Sequence, residues 1–315
     1  MATNCEQVLF RIYCPLLFLA AAPCLVSAAD PFAAPNDKNK PQIKRGVTYA
    51  ERGEEKLQSD IYLPRGDGPF PGVLMVHGGA WRTGERWHMH RDAEALAENG
   101  YTVVNISYRL APRHKFPAQI EDCREALRWM RTNARQYKIN PGRIGGYGYS
   151  AGGHLVALLG AADDPPQTNP AQTDPGGADR PSARLQAVVA GGAPCDFNWI
   201  GVDSQVLAYW LGKTRGQNPE VYRLASPLTF VTRDDPPMFF YHGAIDVLVP
   251  KRSPTRMRDQ LKQMGVRSEL LLLNGSGHIA AFLSQKALPQ AIAFLNDVLK
   301  GDNKLKGGNN GETAE

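Results

Sequence analysis

A serine flanked by glycines is the sharpest chemical signal in this sequence of 315 residues. Ser150 stands in the run Gly148-Tyr149-Ser150-Ala151-Gly152, between a predicted strand and a predicted helix. A serine hydroxyl is a poor nucleophile unless it is exposed and a base can take its proton, and a tight strand-to-helix turn exposes it. The helix that follows also points free backbone N–H groups toward a developing negative charge. We therefore interpret Ser150 as a candidate nucleophile for acyl groups.

A pair of glycines upstream predicts a site for the negative charge that such a reaction creates. The run His77-Gly78-Gly79-Ala80-Trp81 directly follows a continuous apolar segment. Tetrahedral acyl intermediates carry an oxyanion, and glycine backbone can bring N–H groups against it without obstruction from side chains. We expect Gly78, Gly79 and the N–H of Ala151 to form this oxyanion hole. The alternative is a simple tight turn, since glycine pairs mark turns. His77 and Trp81 are expected to be structural.

The base and the acid are expected downstream, in the chain order serine, aspartate, histidine. Asp246 closes the run His242-Gly243-Ala244-Ile245-Asp246 after one apolar segment, and His278 closes Asn274-Gly275-Ser276-Gly277-His278 after the next. His278 would take and return the proton of Ser150, while Asp246 would orient the imidazole and stabilise its cation. The three residues together predict a nucleophile, a base and an acid.

Other titratable residues are rivals for these roles, and we expect them to be structural or solvated. For His154 we expect packing or solvent contact, and for His242 burial with a hydrogen bond. The histidines in polar loops or at helix starts are His88, His90 and His114, and the rival carboxylates are Glu121, Asp122 and Asp196. The pair His88 and His90 has no third ligand at suitable spacing, and Cys123 and Cys195 lie in no CxxC pair, so we expect neither a metal nor a cofactor. Free buried thiols are favoured for these two cysteines, although a bridge between them stays open.

The hydrophobic pattern predicts the elements that must position these residues. Strands are predicted at 46–51, 56–63, 72–77, 101–108, before Tyr149, and at 185–190, 238–241 and 268–273. Helices are predicted at 90–98, 118–137, 151–161, 255–264 and 287–299. This alternation indicates an α/β fold with a mostly parallel, eight-stranded twisted sheet and helices on both faces. Residues 163–182 read as a surface excursion, and residues 197–235 as a small lid.

The first residues of the sequence have the composition of a secretory signal. An apolar stretch over 16–22 is preceded by Arg11 and followed by small residues up to Ala29, and it is shorter than the ~20 residues of a membrane span. We predict a signal peptide at 1–29, a linker at 30–45, a catalytic domain at 46–300 and a disordered tail at 301–315. The protein is expected to be exported, periplasmic or extracellular, and soluble after cleavage. A lipid anchor on Cys24 is disfavoured because Pro23 stands where a small residue is wanted.

Composition excludes some classes of partner. The formal net charge is only +5, with 43% hydrophobic and 21% charged residues, which is typical of a globular protein. Basic residues alternate with acidic ones and form no stripe that could follow a phosphate backbone, so we expect no nucleic-acid partner. The sequence carries no signal for a particular oligomeric state.

Together these motifs resemble those of a known group of hydrolases. The likeness spans roughly 47–299 and includes the His77 to Trp81 run, Tyr108-Arg109-Leu110-Ala111-Pro112, Gly148 to Gly153, and the contexts of Asp246 and His278. The sequence resembles esterases and lipases near hormone-sensitive lipase, and especially the bifunctional feruloyl and acetylxylan esterase-like families. The resemblance implies an α/β-hydrolase fold and hydrolysis of carboxylic esters through an acyl-enzyme, without a metal. The substrate would be a small-molecule or polysaccharide ester, and for an exported member the analogy suggests acetylated or feruloylated polysaccharide.

The sequence departs from that group in two places. Gly145 and Gly146 replace the apolar residues that usually precede the nucleophile turn, and we expect them to loosen this strand. The large N-terminal cap helices of true hormone-sensitive lipase relatives are missing, which predicts a small cap or none. An open acyl pocket would favour short acyl groups.

Two other functions stay open as alternatives. An amidase or peptidase could use the same three residues, and formamidases share a closely similar His-Gly-Gly-x-Trp element. A binding module on a non-catalytic hydrolase fold is disfavoured, because Ser150, Asp246 and His278 are all present.

Overall fold

The computed structural model describes residues 40–162 and 181–301 and contains an eight-stranded sheet. The strands are β1 (Gln42–Arg52), β2 (Glu55–Leu63), β3 (Phe70–Val76), β4 (Thr102–Ile106), β5 (Ile139–Tyr149), β6 (Ala187–Gly191), β7 (Met238–Gly243) and β8 (Ser268–Leu273). Their order across the sheet is β1-β2-β4-β3-β5-β6-β7-β8. The pairs β1–β2 and β2–β4 are antiparallel, and all other pairs are parallel. The predicted fold class is confirmed.

Helices cover both faces of this sheet. They are α1 (His90–Glu98), α2 (Ala118–Thr132), α3 (Ala151–Ala161), α4 (Ala208–Leu211), α5 (Pro219–Leu224), α6 (Arg252–Gln263), α7 (His278–Phe282) and α8 (Ala287–Lys300). Buried side chains of α2, α3 and α6 belong to one hydrophobic core, and those of α1, α7 and α8 belong to a second. Strands β4 and β6 are buried along their whole length because an interior strand between two helical layers meets no solvent.

Two boundaries differ from the prediction by four residues or more, and the others differ by at most three. β1 begins at Gln42, inside the segment predicted to be a linker, because its backbone pairs with β2 from Gln42 opposite Leu63 onward. Two register shifts in β1, one between Lys44 and Val47, break the alternation of side chains that would have marked the strand. α2 ends at Thr132, five residues before the predicted end at Tyr137, and a series of turns follows it.

The two glycines before the nucleophile turn do not loosen β5, contrary to the expectation. Both are buried and pair with β3 on one side and β6 on the other. A Cβ at Gly145 would lie 3.1 Å from Leu299 of α8, and one at Gly146 would lie 3.1 Å from Val156 of α3. Because these two glycines have no side chain, α8 and α3 pack directly against β5 from its two faces.

Several predictions fall outside the described residues: the signal peptide, most of the linker and of the 163–182 excursion, and nearly all of the tail. Within 40–162 and 181–301, no helix combines the length and hydrophobicity that a bilayer span needs. In the same ranges Cys123 and Cys195 are both buried and unbridged.

Candidate active site

Ser150 lies in a sharp turn between β5 and α3, at the carboxyl edge of the sheet. Its φ of 56° and ψ of −120° place a non-glycine residue in the left-handed region, which L-residues rarely adopt. The turn is tight enough that a Cβ at Gly152 would lie 2.0 Å from the carbonyl oxygen of Val76. The sequence pattern therefore supplies glycine where β3 and α3 approach each other, and it leaves Ser150 partly exposed.

The structure brings the three predicted residues into one hydrogen-bonded chain. His278 Nε2 is 2.9 Å from Ser150 Oγ, and His278 Nδ1 is 2.6 Å from Asp246 Oδ2. His278 begins α7 directly after β8, and Asp246 lies in the loop after β7. Three loops at the same edge of a parallel sheet thus deliver three groups that are distant in sequence.

Two backbone N–H groups hold Asp246 in place, in addition to the imidazole of His278. Its Oδ1 accepts hydrogen bonds from the backbone N–H groups of Leu248 and Val249, both at 2.9 Å. Burial alone would raise the pKa of Asp246, but hydrogen bonds from His278 and Val249 outweigh it, and the pKa lies below its ordinary value. The carboxyl group is therefore ionised at neutral pH and faces the ring that would become a cation.

His242 is a second imidazole beside the same carboxylate. It is fully buried, as expected, and Nε2 donates to the carbonyl of Val249 at 2.9 Å. The same nitrogen is 3.4 Å from Asp246 Oδ2. Burial lowers the pKa of His242, so the ring is neutral and holds the loop that carries Asp246.

Tyr149 holds His278 in place, a role that the sequence motifs do not indicate. Its hydroxyl donates to the carbonyl of His278, and its ring packs on Phe282, at the other end of α7, with centroids 4.9 Å apart. Burial raises the pKa of Tyr149 well above its usual value, so the hydroxyl stays a donor. Its position beside the nucleophile was a possible clue, but the sequence shows nothing of its partner across 129 residues.

The glycines predicted to form the oxyanion hole lie directly beside Ser150. A Cβ at Gly78 would be 3.2 Å from Ser150 Cβ and 2.9 Å from the carbonyl oxygen of Tyr149. Gly79 has a φ of 114°, and a Cβ there would collide with the backbone of Thr83 at 2.0 Å. Ala151 is the first residue of α3. The loop that contains Gly78 and Gly79 thus lies on one side of Ser150, and the N-terminus of α3 lies on the other.

His77 and Trp81 have the structural contacts that were expected of them. The His77 ring stacks on Tyr108 at 4.3 Å, and its Nδ1 donates to the carbonyl of Gly78 at 2.6 Å. Burial lowers the pKa of His77 to about 4. Trp81 is buried against Trp210, with ring centroids 3.8 Å apart. His154 lies deep in the core, and Trp81 Nε1 donates to its Nδ1 at 3.2 Å.

The rival carboxylates have structural partners. Asp122 accepts a 2.7 Å hydrogen bond from Arg109, which also lies 3.5 Å from Glu121. Asp196 forms an ion pair with Arg256.

The remaining rival histidines also contact protein groups. His88 accepts from the backbone N–H of Glu85, His90 contacts the Tyr62 hydroxyl, and His114 contacts Glu55. No group of three histidine, cysteine or carboxylate side chains in the described ranges is arranged to hold a metal ion.

The chain is similar in sequence to proteins that are named as esterases. The family model described as BD-FAE matches residues 59–261. A curated relative, "Probable carboxylic ester hydrolase LipM" of Mycobacterium tuberculosis, is 33% identical over 227 residues, which is 69% of this chain and 51% of the relative. "Esterase LipC" of the same organism is 33% identical over 67% of this chain and 53% of its own length. The chain thus spans about half the length of these curated relatives.

Among solved structures, one described as a "truncated form of carbohydrate esterase from gut microbiota" has a TM-score of 0.73 at 24% identity. The match covers 84% of this chain and 99% of that one. At this identity the likeness establishes the fold.

Proposed function

The chain belongs to the BD-FAE family, and on that premise we propose that it is a serine carboxylesterase that hydrolyses short-chain acyl esters through an acyl-enzyme. The observation that carries the proposal is the hydrogen-bonded chain from Ser150 through His278 to Asp246. Nearby esterase relatives support it. The connection between β6 and β7 contains two short α-helices, α4 and α5, and one 3-10 helix, Pro227–Phe230. It has no long helix that could form a large cap over a deep acyl pocket, which favours short acyl groups.

In the acylation half of the reaction, Ser150 Oγ attacks the carbonyl carbon of the ester while His278 Nε2 takes its proton. Asp246 holds the other ring proton on Nδ1 and stabilises the imidazolium. The carbonyl oxygen becomes an oxyanion that accepts from the N–H groups of Gly78, Gly79 and Ala151. When the intermediate collapses, the C–O bond to the alcohol breaks, and His278 gives its proton to the departing alkoxide.

In the deacylation half, water replaces the alcohol. His278 Nε2 takes a proton from water, and the hydroxide oxygen attacks the acyl carbon bound to Ser150. Collapse of the second intermediate breaks the bond to Ser150 Oγ, which recovers its proton from His278. The products are one carboxylic acid and one alcohol, and the enzyme is regenerated.

Hydrolysis of p-nitrophenyl acetate tests this proposal directly. We expect Ser150→Ala to lower kcat by roughly a million-fold, as for nucleophile knockouts of other serine hydrolases. Ser182→Ala is a matched control. Ser182 is exposed and precedes β6, so it lies toward the amino edge of the sheet, whereas Ser150 lies at the carboxyl edge. A fluorophosphonate probe should label the control and spare Ser150→Ala. Equal turnover by the two variants would contradict the assignment.

Ester and amide hydrolysis are separated by a substrate pair with the same acyl group. We expect p-nitrophenyl acetate to be cleaved far faster than p-nitroacetanilide, because the amide has a poorer leaving group that must be protonated. Faster amide cleavage would favour the amidase or peptidase alternative. A stable protein that turns over neither compound and resists the probe would favour the non-catalytic binding module.

For the natural substrate we propose an acetylated or feruloylated polysaccharide. A bifunctional protein of Bacteroides eggerthii described as "GH43-CE" resembles the chain with a TM-score of 0.69 at 28% identity, over 80% of this chain and 37% of that one. We expect acetate release from acetylated xylan, or ferulate release from feruloylated arabinoxylan, and a decline of kcat/KM from p-nitrophenyl acetate to octanoate. A preference for octanoate would overturn the short-chain proposal.

We also propose that the protein is exported through the signal predicted at 1–29. N-terminal sequencing of protein recovered outside the cytoplasm of a bacterial host should begin near Ala29 or Asp30. Leu17→Arg, which places a charge in the apolar stretch, should keep the protein in the cytoplasm with its first residues intact. Equal recovery of both forms outside the cytoplasm would argue against this signal.

A further inference from the structure

The loop that borders the nucleophile has an unusual backbone. We refer to His77–Thr83 as the glycine loop. Within it Gly79, Ala80 and Trp81 have φ values of 114°, 51° and 58°. Alanine and tryptophan rarely adopt this left-handed conformation, and it persists only where the surrounding structure holds it. The glycine loop therefore depends on contacts outside itself.

Two of those contacts come from one short helix between β6 and β7. The Tyr209 hydroxyl of α4 donates to the carbonyl of Ala80 at 2.7 Å. The next residue, Trp210, stacks on Trp81 with an interplanar angle of 2°. Burial raises the pKa of Tyr209 to about 12, so the donor keeps its proton. Two consecutive residues of α4 thus contact two consecutive residues of the glycine loop, Ala80 and Trp81, which both have a positive φ.

His154 provides the third contact and links the glycine loop to the helix of the nucleophile. Trp81 Nε1 donates to His154 Nδ1 at 3.2 Å, and His154 Nε2 donates to the carbonyl of Ala225 at 2.7 Å. An indole N–H can only donate, so the neighbours assign the proton of the neutral ring to Nε2. His154 lies one turn into α3, and its backbone N–H donates to the carbonyl of Ser150 at 2.8 Å. The two sides of the predicted oxyanion hole are therefore joined through one buried imidazole.

We propose that Tyr209 and His154 are positioning residues that hold the N–H groups of the glycine loop against Ser150. The segment predicted to be a lid then acts as a clamp on the oxyanion hole. The inference rests on the proposed function, because it needs an oxyanion to form at Ser150. Neither residue touches the reacting atoms. Tyr209 acts through the backbone carbonyl of Ala80, and His154 acts through the indole side chain of Trp81.

A pair of tyrosine variants separates positioning from general stability. Tyr209→Phe keeps the ring and removes the hydrogen bond to Ala80. Tyr222→Phe is the matched control, because the Tyr222 hydroxyl donates to Lys213 within the same segment, at 3.1 Å. We expect Tyr209→Phe to lower kcat for p-nitrophenyl acetate about tenfold at unchanged KM, since misplacement of catalytic groups by ~1 Å can cost ~100-fold. Tyr222→Phe should stay within about twofold of the wild type.

A second readout reports on the oxyanion itself. A trifluoromethyl ketone forms a hemiketal anion with a reactive serine, so its inhibition constant measures the oxyanion site. We expect Tyr209→Phe to weaken the ketone by the same factor as kcat/KM, and Tyr222→Phe to leave it unchanged. His154→Leu should lower kcat by roughly a hundredfold, and His154→Gln should recover most of it because an amide can accept from Trp81 and donate to Ala225.

The outcomes distinguish this inference from the function on which it rests. Wild-type protein that neither hydrolyses p-nitrophenyl acetate nor reacts with a fluorophosphonate overturns the proposed function and the clamp with it. An active wild type in which Tyr209→Phe and Tyr222→Phe have equal kcat and equal ketone affinity overturns the clamp alone. The tyrosine pair decides this even when His154→Leu fails to fold.

Discussion

Replacing Asp246 by asparagine should change the tautomer of His278 while leaving its position intact. In the native protein Oδ1 accepts from two backbone N–H groups, those of Leu248 and Val249, and Oδ2 faces His278 Nδ1. The amide oxygen of an asparagine must take the Oδ1 place, because an NH₂ group there would face two donors. The NH₂ group would then point at His278 Nδ1 and force that nitrogen to accept.

The magnitude follows from this geometry. With Nδ1 as an acceptor, the single proton of the neutral ring moves to Nε2, which faces Ser150 Oγ at 2.9 Å. A protonated Nε2 cannot accept the serine proton, and the corresponding exchange in a serine protease lowers kcat about 10⁴-fold. This corresponds to about 5 kcal/mol in the activation free energy. The free energy of unfolding should fall by only about 1–2 kcal/mol, because neutral hydrogen bonds replace charge-assisted ones.

Steady-state hydrolysis of p-nitrophenyl acetate near pH 7.5, with urea unfolding in parallel, measures both effects. Asp196→Asn is the control, because Asp196 is also buried, accepts from a neighbouring backbone N–H and carries an ion pair with Arg256. We expect the control to keep kcat within a few-fold of the wild type. An Asp246→Asn variant that retains more than a tenth of wild-type kcat, while folded, would refute the reasoning. Loss of activity in the control alone would assign the acid to Asp196.

Three further perturbations have defined outcomes. Gly78→Ala places a Cβ 2.9 Å from the carbonyl of Tyr149 and should lower kcat at least ~100-fold by displacing an oxyanion donor. Tyr149→Phe removes the hydrogen bond to the carbonyl of His278; kcat should fall about tenfold, and the unfolding free energy by about 1 kcal/mol. Burial lowers the pKa of His154 from 6.5 to about 4. At a pH between these two values, His154 is protonated in the unfolded chain and neutral in the folded protein. Unfolding free energies from urea titrations should therefore fall by about 2–3 kcal/mol more in the wild type than in His154→Gln between about pH 6.5 and pH 4.5.

Matched controls belong to the first two of these tests. Gly142→Ala puts a Cβ in ordinary contact, 3.5 Å from Asn140, and should leave kcat unchanged. Tyr101→Phe loses a comparable hydrogen bond, to Asn296 at 2.8 Å. It should lower the free energy of unfolding and leave kcat unchanged. If Gly78→Ala matches Gly142→Ala, or Tyr149→Phe matches Tyr101→Phe in kcat, the corresponding role is wrong. Parallel pH curves for the wild type and His154→Gln would contradict the burial of a neutral His154.

The sequence predicted best where local pattern and tertiary structure require the same thing. Helices α1 and α3 have the predicted bounds, as does strand β8. Gly100 lies just beyond α1, the serine turn lies directly before α3, and Asn274-Gly275 follows β8. The three site residues could be proposed because each follows a strand, and parallel strands deliver their carboxyl ends to one edge of the sheet. The sequence motif, the chain order and the expected topology were enough to propose these three residues.

Contacts between distant segments could not be predicted in this way. Tyr149 meets His278 across 129 residues, and Tyr209 meets Ala80 across the same separation. No periodicity specifies which carbonyl a tyrosine reaches, because that depends on how loops pack after the sheet has formed. Helices α4 and α5 have four and six residues, too few for a helical pattern to emerge, and tertiary packing rather than propensity holds them. His154 was placed correctly on its helix, but its two partners lie on other segments.

The strained backbone of Ser150 depends on contacts with the elements on both sides of its turn. A non-glycine residue at a φ of 56° costs on the order of 1–3 kcal/mol and relaxes wherever its surroundings allow. Here its N–H donates to Gly191 at the end of β6 at 2.7 Å, and its carbonyl accepts from His154 in the first turn of α3. Relaxation of the turn would break a hydrogen bond to a regular element on either side. The strain is therefore held by the central sheet and α3, whereas the glycine loop is held by α4 and by the ring of His154. Because Tyr209 and Trp210 of α4 contact the glycine loop and not the turn of Ser150, substitutions in α4 should change the stabilisation of the oxyanion without changing the position of the nucleophile.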